Sequence, residues 1–317
     1  MTDVRYLDGM DVTDLATPDE YVSAVRAAYA ERGRGADARP RTKLTRDDVP
    51  GMMTGYLAIL PDSGYMGGYM YAAGFGASDA WFVTPLFDAD EGELLALVDG
   101  GSMNPFKTGA AGAVGVDELA REDASELAVI GTGSQARGQL ITAATVRDLD
   151  AVRVFSPTKE HRESFAADFD EELQATVEAV PDSTAAVAGA DEDIEAGTHI
   201  TAMGQYDPEK RELPGETVAR AKYVPDLRER TEQDAGSFIL AREAGLVDED
   251  HVHAELGEVV VGDAPGRTDD REITVFDSGG TGIETVGAAS MLYEMARDED
   301  LGTMMEFFPA SESMIGN

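Results

Sequence analysis

The apolar positions of the N-terminal third first follow a helical period and then fall in short runs. A strand is predicted at 4–7, and a helix begins near Thr17, with Pro18 in its first turn. The apolar stripe of that helix has helical spacing and comprises Tyr21, Val22, Val25, Ala28 and Tyr29. Short apolar runs separated by Gly, Pro and Asp follow, and they predict a mostly antiparallel β region with strands at 53–60, 65–72, 80–86 and 94–99.

Strands and helices alternate in the second half of the chain. A helix is predicted at 108–119, and a helical tail with one apolar face at 285–305. Between them the predicted strands are 127–130, 152–155, 199–202 and 223–224, with helices at 134–146 and 160–169. Such alternation implies right-handed βαβ units, so we predict an α/β fold with a parallel sheet.

The most informative stretch joins the strand at 127–130 to the next helix. It contains Gly131, Gly133 and Ala136 in the spacing G-x-G-x-x-A, a form of the dinucleotide-binding fingerprint. The first glycine permits a tight turn, the second lets a ligand approach the backbone, and the alanine lets helix and strand pack closely. Because a helix N-terminus offers unpaired N–H groups, a pyrophosphate is predicted there, on Gly131, Thr132, Gly133, Ser134, Gln135 and Ala136. The alternative is a purely structural turn.

The following strand ends without the acidic residue that commonly binds the adenosine ribose. Its end carries Ser156, Thr158 and Lys159, followed by Arg162. Hydroxyls and cations suit a ribose 2′-phosphate, so the sequence favours NADP(H) over NAD(H). The alternative is that Lys159 and Arg162 are ordinary surface residues.

Composition and net charge indicate the solvent conditions and the partners that the protein surface suits. The 317 residues are long enough for about two domains. Acidic residues number 62 against 25 Lys and Arg, giving a net charge of −37 spread along the whole chain. This even excess is typical of salt-adapted proteins such as those of halophilic archaea, because molar salt screens the self-repulsion. It argues against nucleic-acid binding, which requires a basic surface.

Three absences narrow the class further. The chain has no cysteine, so neither a disulfide framework nor a thiolate site is expected. No run of about 18 apolar residues predicts a membrane span. The N-terminal residues lack a basic and then apolar signal region, so we expect a cytoplasmic protein. His251 and His253 lie in a polar turn among acidic residues, and no metal site is predicted.

Several further motifs occur in a fixed order along the chain. They lie at 104–113, 131–136, 224–226, 255–259, 266–268 and 273–280. Together they resemble the ornithine cyclodeaminase/mu-crystallin family, which includes archaeal alanine dehydrogenase and imino-acid reductases, over nearly the whole chain. The resemblance implies a Rossmann-type parallel sheet domain at 119–284. It also implies an α+β substrate-binding and dimerisation domain made of 1–118 and 285–317, and therefore a homodimer.

The resemblance also implies a reaction and its residues. Members transfer a hydride between a nicotinamide ring and the α-carbon of a small amino or imino acid. Arg41 matches the arginine that holds the substrate carboxylate. Lys107 would supply a cation that supports the substrate or the cofactor, and Asp226 matches the acid that transfers the proton. Thr108, Ser278 and Gly279 match positions around the cofactor. From the residues alone, Arg41 is equally compatible with a surface ion pair, and Asp226 with a helix cap.

The chain departs from the family pattern in ways that leave the activity open. No lysine occurs in 67–71, where the family has a catalytic one, and Thr285 stands in place of a family acid. After Asp191, one strand and its loop, roughly 15–20 residues, are missing. We therefore expect an NAD(P)-dependent amino- or imino-acid oxidoreductase. The alternatives are a true ornithine cyclodeaminase, against which the missing lysine weighs, and a non-catalytic NADP(H)-binding, mu-crystallin-like protein.

Overall fold

Strands predominate in the first hundred residues, and helices and strands alternate afterwards. The computed structural model describes residues 2–76, 80–186 and 194–308. Its strands are β1 (Thr2–Leu7), β2 (Asp37–Ala38), β3 (Thr42–Thr45), β4 (Met52–Leu60), β5 (Tyr65–Ala73), β6 (Trp81–Asp88), β7 (Leu94–Asp99), β8 (Glu126–Ile130), β9 (Ala151–Phe155), β10 (Thr176–Ala179), β11 (His199–Met203), β12 (Ala221–Pro225), β13 (Ile273–Ser278) and β14 (Thr303–Phe307). Its helices are α1 (Gly9–Val12), α2 (Pro18–Gly33), α3 (Gly100–Leu119), α4 (Ser134–Val146), α5 (Lys159–Glu172), α6 (Ser183–Ala186), α7 (Gly215–Arg220), α8 (Arg230–Gln233), α9 (Gly236–Glu243), α10 (Leu256–Val260) and α11 (Gly282–Asp298).

One large sheet is built from the N-terminal strands and the last one. Its order is β14-β1-β7-β6-β5-β4-β2, with β3 also paired to β4, and its pairs are antiparallel except for β1 with β7. Along β4 the side chains alternate, so that Tyr56, Ala58 and Leu60 are buried while Leu57 and Ile59 are exposed. Helices α2, α3 and α11 pack on the inner face of this sheet. The pairing of β4 to β7 confirms the predicted antiparallel region.

The second half of the chain contains two separate parallel sheets. One has the order β10-β9-β8 and the other β11-β13-β12, which confirms the predicted α/β fold with parallel strands. In the described part of the chain, β8 and β11 share no ladder. Ile130 of β8 is accordingly 58% exposed, as expected for an edge and not for the middle of a parallel sheet. The strand predicted to be missing would lie here, although residues 187–193 are outside the described ranges.

Two of the predicted helices, α3 and α11, have wrong boundaries. Helix α3 begins at Gly100 and not at 108, because the Asp99 side chain caps it, and Pro105 is accommodated inside the helix. Helix α11 begins at Gly282, three residues earlier than predicted, and ends at Asp298 and not at 305. The backbone turns at Asp300 and Gly302, where φ is 55° and 86°, and then forms β14 beside β1.

Three apolar cores stabilise these elements. The largest lies between the big sheet and helices α2, α3 and α11, and it also includes Val224, Leu227 and Phe276. The second lies under β8–β10, and the third around Tyr223 and Phe238. The division into domains at 118/119 and 284/285 stays a prediction. Within the described ranges, no helix combines the length and the apolar character that crossing a bilayer requires.

Candidate active site

The glycine loop between β8 and α4 is shaped to receive an anion. Gly131 has a φ of 116°, which favours glycine, and its N–H donates to the Phe155 carbonyl at 2.8 Å. Gly133 is the N-cap of α4 and, having no side chain, leaves the first N–H groups of the helix unsatisfied by a cap. A Cβ added at Gly131 or Gly133 would meet nothing within 4 Å. The loop therefore fits a dinucleotide pyrophosphate, with Thr132, Ser134, Gln135 and Ala136 around it.

Helix α4 is held against α3 by a contact that the sequence prediction missed. Ala136 packs on the core under β8, as expected for a small residue there. The two backbones approach closely at Gly138, where a Cβ would lie 2.1 Å from the Pro105 carbonyl oxygen. Nearby, the Gln139 side chain donates to the Thr108 carbonyl at 3.0 Å, which joins α4 to Thr108 of α3. The signal in the sequence was a glycine at position 138, two residues beyond the fingerprint.

The end of β9 carries the residues predicted for the adenosine ribose. Arg162 Nη1 donates to the Ser156 carbonyl at 2.9 Å, so the guanidinium lies next to this loop. Lys159 is exposed and 3.5 Å from Glu163, and Thr158 is the N-cap of α5 without a side-chain cap bond. No acidic side chain stands at 155–159.

Arg41 is a buried cation and not a surface residue. Its Nη1 donates to the Tyr71 hydroxyl at 2.8 Å and its Nη2 to the Gly279 carbonyl. Its guanidinium lies 4.0 Å from the centre of the Tyr206 ring, and Asp234 Oδ2 is 3.9 Å from its Nε. Because a guanidinium has five N–H groups, these contacts leave donors that suit a carboxylate.

Lys107 is a second buried cation, and its carboxylate partner Glu284 lies at the start of α11. It is 1% exposed, its Nζ lies 3.5 Å from Glu284 Oε1, and it faces the Tyr69 ring at 4.8 Å. Burial lowers the pKa of Lys107, and Glu284 partly opposes this. Glu284 in turn accepts from the N–H and the hydroxyl of Thr281 in a capping box at the start of α11.

Asp226 follows β12 and is fully buried at the centre of a hydrogen-bond network. Its Oδ1 accepts from the Leu227 N–H at 2.8 Å and from Arg230 at 3.1 Å. Its Oδ2 accepts from the Ser278 hydroxyl at 2.8 Å and the Gly279 N–H at 3.0 Å. These four donors satisfy both oxygens of the carboxylate and hold the loop after β13. Asp226 thus anchors the loop that contains Ser278 and Gly279. Its role in proton transfer stays a prediction.

Arg230 is the central cation of this network, and sequence reasoning did not find it. It is 1% exposed and contacts Asp226, Asp234 and Asp277 at 3.1, 2.7 and 3.0 Å. Burial raises the pKa of Asp234 and of Asp277, whereas Arg230 acts to lower both. The sequence signal was an i, i+4 pattern of Asp, Arg and Asp at 226, 230 and 234.

The histidines show no sign of metal binding. His251 Nε2 is 2.7 Å from the Val218 carbonyl, and His253 Nε2 is 2.8 Å from the Pro265 carbonyl. Within 2–76, 80–186 and 194–308, no group of three or more His, Asp or Glu side chains is arranged to hold a metal ion.

Comparison with known proteins shows the family of this chain. A sequence profile of the ornithine cyclodeaminase/mu-crystallin family matches residues 6–194 and 191–300. The chain belongs to this family. The two matched segments meet at 191–194, where the sequence predicted the missing strand.

Relatives and solved structures show what this family member is similar to. The chain is 32% identical to the Δ1-pyrroline-2-carboxylate reductase of Bacillus cereus over 240 residues, which cover 71% of this chain and 74% of that protein. The structure of the Thermococcus litoralis Δ1-pyrroline-2-carboxylate reductase in complex with NADH and L-proline has a TM-score of 0.88 at 30% identity, covering 95% and 99% of the two chains. An archaeal alanine dehydrogenase dimer with bound NAD has a TM-score of 0.89 at 29% identity, covering 97% and 100%.

Proposed function

We propose that this protein is a nicotinamide-dependent oxidoreductase of a small amino or imino acid. The observation that carries the proposal is the position of Arg41, a buried guanidinium bonded to Gly279 in the loop that Asp226 anchors. A carboxylate on Arg41 would lie beside the loop that the resemblance places next to the nicotinamide. The names of the relatives, a pyrroline-2-carboxylate reductase and an alanine dehydrogenase, support this class of substrate.

The residues have distinct parts in this proposal. The backbone from Gly131 to Ala136 holds the pyrophosphate, and Thr108 supports that loop through α4. Ser278 and Gly279 border the nicotinamide. When bound, the cofactor supplies or accepts the hydride. Arg41 orients the substrate carboxylate. Lys107 adds positive charge near the same Tyr56 ring that Arg41 contacts, and it pairs with Glu284.

A panel of candidate substrates tests this function directly. The purified protein in molar KCl is mixed with NADPH or NADH and with cyclic imino acids, or with 2-oxo acids plus ammonium or methylamine. Consumption of the reduced nicotinamide with at least one imine is the expected result. Binding of a nicotinamide cofactor without turnover on any member of the panel contradicts it.

The preference between the two cofactors is a finer proposal. Ser156, Thr158, Lys159 and Arg162 lie at the end of β9 and favour the ribose 2′-phosphate of NADP(H), although the two solved relatives have NADH and NAD bound. Calorimetry should give a lower Kd for NADPH than for NADH. Ser156→Asp should reverse that order, because the carboxylate repels the phosphate and accepts from the ribose hydroxyls. Equal affinity of the wild type for both cofactors would refute the preference.

A non-catalytic dinucleotide-binding protein is the second candidate. The open edge of β8 favours it, since the missing strand would line the far side of the cofactor site. True ornithine cyclodeamination is the third, and the absence of a lysine from 67–71 weighs against it. In the substrate panel, tight NADPH binding without turnover supports the binder. Proline formation from ornithine supports the cyclodeaminase.

We also propose that the large sheet joins two copies of the chain in a homodimer. Its outer face exposes large apolar side chains along adjacent strands, among them Leu57, Met70, Trp81 and Val83, with Leu57 66% exposed. An exposed apolar patch of this kind indicates a protein interface, and one solved relative, the archaeal alanine dehydrogenase, is a dimer. Light scattering in molar KCl should give twice the monomer mass, and Leu57→Glu should give monomers. A monomeric wild type at micromolar concentration would contradict the proposal.

Salt adaptation and a cytoplasmic location complete the proposed setting. The net charge of −37 supports the first of these. The location in the cell stays a prediction.

A further inference from the structure

Tyr71 is a half-buried phenol at the wall of the proposed substrate site. It lies on β5, where the resemblance to the family leads one to expect a catalytic lysine and where the segment 67–71 has none. Its hydroxyl oxygen is 2.8 Å from Nη1 of Arg41, the residue assigned to the substrate carboxylate. Its ring is fixed by Phe82 and Tyr69, at centroid distances of 4.8 and 5.7 Å.

The hydrogen bond from Arg41 leaves the proton of Tyr71 free to be donated. Arg41 can only donate, so the Tyr71 oxygen is the acceptor in that contact. A phenol oxygen has two lone pairs and one proton. With one lone pair taken by Arg41, the O–H bond of Tyr71 is directed away from that guanidinium, which also contacts the face of the Tyr206 ring at 4.0 Å.

The same contact stabilises the phenolate that remains after the proton has left. A phenolate at Tyr71 would face the positive charge of Arg41 at 2.8 Å. Charge-assisted hydrogen bonds of this kind are stronger than those between neutral groups. The site is therefore arranged so that Tyr71 can both lose a proton and recover it.

Other proton donors near the site are already engaged. Both carboxylate oxygens of Asp226 accept two hydrogen bonds each from protein groups. Lys107 is paired with Glu284 and is 1% exposed. The Tyr69 hydroxyl donates to the Gly100 carbonyl at 3.1 Å. Tyr71, by contrast, is only partly buried and lies in direct contact with Arg41.

We propose that the phenolic hydroxyl of Tyr71 donates the proton that the substrate nitrogen takes up when an imine is reduced. The inference rests on the proposed function. As the imine carbon receives the cofactor's hydride, the C=N π electrons become the nitrogen's pair. A new N–H bond then forms as the Tyr71 O–H bond breaks. The imine is reduced, the cofactor is oxidised, and water returns the proton to Tyr71. In an α-imino acid the nitrogen and the carboxylate are attached to the same carbon, so a group bonded to Arg41 is within reach of that nitrogen.

Tyr71→Phe tests the proposal because it removes the hydroxyl and keeps the ring. General acid catalysis contributes on the order of 10²–10⁴-fold, so kcat should fall by that amount while KM for the imine changes by less than about threefold. The solvent deuterium isotope effect on kcat should rise, because proton transfer then limits turnover. Binding of the product amino acid to the protein with oxidised cofactor, measured by calorimetry, should stay within about threefold of wild type.

Tyr65→Phe is the matched control, since it removes a hydroxyl from the same strand. That hydroxyl contacts Glu294 on α11, outside the site, and kcat should stay within about twofold of wild type. The proposal is overturned if Tyr71→Phe keeps kcat within threefold of wild type. It is also overturned if the variant binds the product more weakly and has a higher KM while the solvent isotope effect is unchanged. The hydroxyl would then only position the Arg41 guanidinium and would not transfer a proton. If the wild type reduces no imine at all, the proposed function itself has failed.

Discussion

Arg230 offers the sharpest test of the buried charge network. Replacing it with Met removes a guanidinium that contacts three buried carboxylates at 3.1, 2.7 and 3.0 Å. Hydrogen bonds to charged groups are worth roughly 1.5–3 kcal/mol each, which would sum to roughly 5–9 kcal/mol for three. Protonation of the abandoned carboxylates limits that sum. We therefore expect about 3–5 kcal/mol of lost stability, the usual cost of removing one partner of a buried ion pair.

Thermal unfolding followed by circular dichroism in molar KCl measures this loss. Arg230→Met should lower Tm by about 10 °C. The control is Arg228→Met, two residues away, where the lost ion pair with Glu258 is half exposed and is worth no more than about 1 kcal/mol. Equal Tm values for Arg230→Met and Arg228→Met would refute the reasoning.

The pH dependence of Arg230→Met has a definite sign. Burial already raises the pKa values of Asp234 and Asp277, and loss of Arg230 raises them further. The folded variant then retains protons to a higher pH than the unfolded chain, so its stability falls as pH rises. The difference in Tm between variant and wild type should be larger at pH 8 than at pH 5. A difference that grows on acidification would contradict this assignment of charges.

Three further predictions concern other parts of the chain. Gly138→Ala should destabilise the protein by about 1–3 kcal/mol or more, because its Cβ would lie 2.1 Å from the Pro105 carbonyl oxygen, whereas Gly133→Ala should keep Tm within about 2 °C but weaken cofactor binding in calorimetry. Burial lowers the pKa of His199 to about 3, so only the unfolded chain binds a proton at this residue between pH 8 and pH 5, and the free energy of unfolding should drop by about 2 kcal/mol over that range. Urea unfolding of His199→Gln should lack that drop, and the exposed control His161→Gln should keep it. Dialysis into salt-free buffer should unfold the protein, since the charge of −37 is then unscreened, and an unchanged circular dichroism spectrum would contradict salt adaptation.

Local features of the fold were predictable because they depend on near neighbours in the chain. The start of a helix near Thr17, with Pro18 in its first turn, and the glycine loop at 131–136 are both visible as short patterns. The helical tail was predicted too long because the turn at Asp300 and Gly302 is followed by a strand that pairs with β1, nearly 300 residues earlier. Such a pairing leaves no local signal.

Prediction of the site from the sequence was limited in the same way. Arg41 was predicted through a resemblance, but its contacts with Tyr71, Tyr206 and Gly279 join residues that are far apart in the sequence. The charge network at Arg230 was missed because its third carboxylate, Asp277, comes from another strand. Residues far apart in sequence that share one buried cluster become visible only in the folded chain.

Single-turnover oxidation of bound NADPH by a five-membered cyclic imino acid tests the central claim most directly. The wild type in molar KCl should oxidise one equivalent of cofactor per site. Arg41→Gln should require at least tenfold more imine for the same rate, because the carboxylate loses its guanidinium. Arg39→Gln, at a position 68% exposed two residues away, should behave as the wild type. No oxidation of bound NADPH by the wild type, or equal behaviour of Arg41→Gln and Arg39→Gln, would contradict the assignment of this site to amino- and imino-acid chemistry.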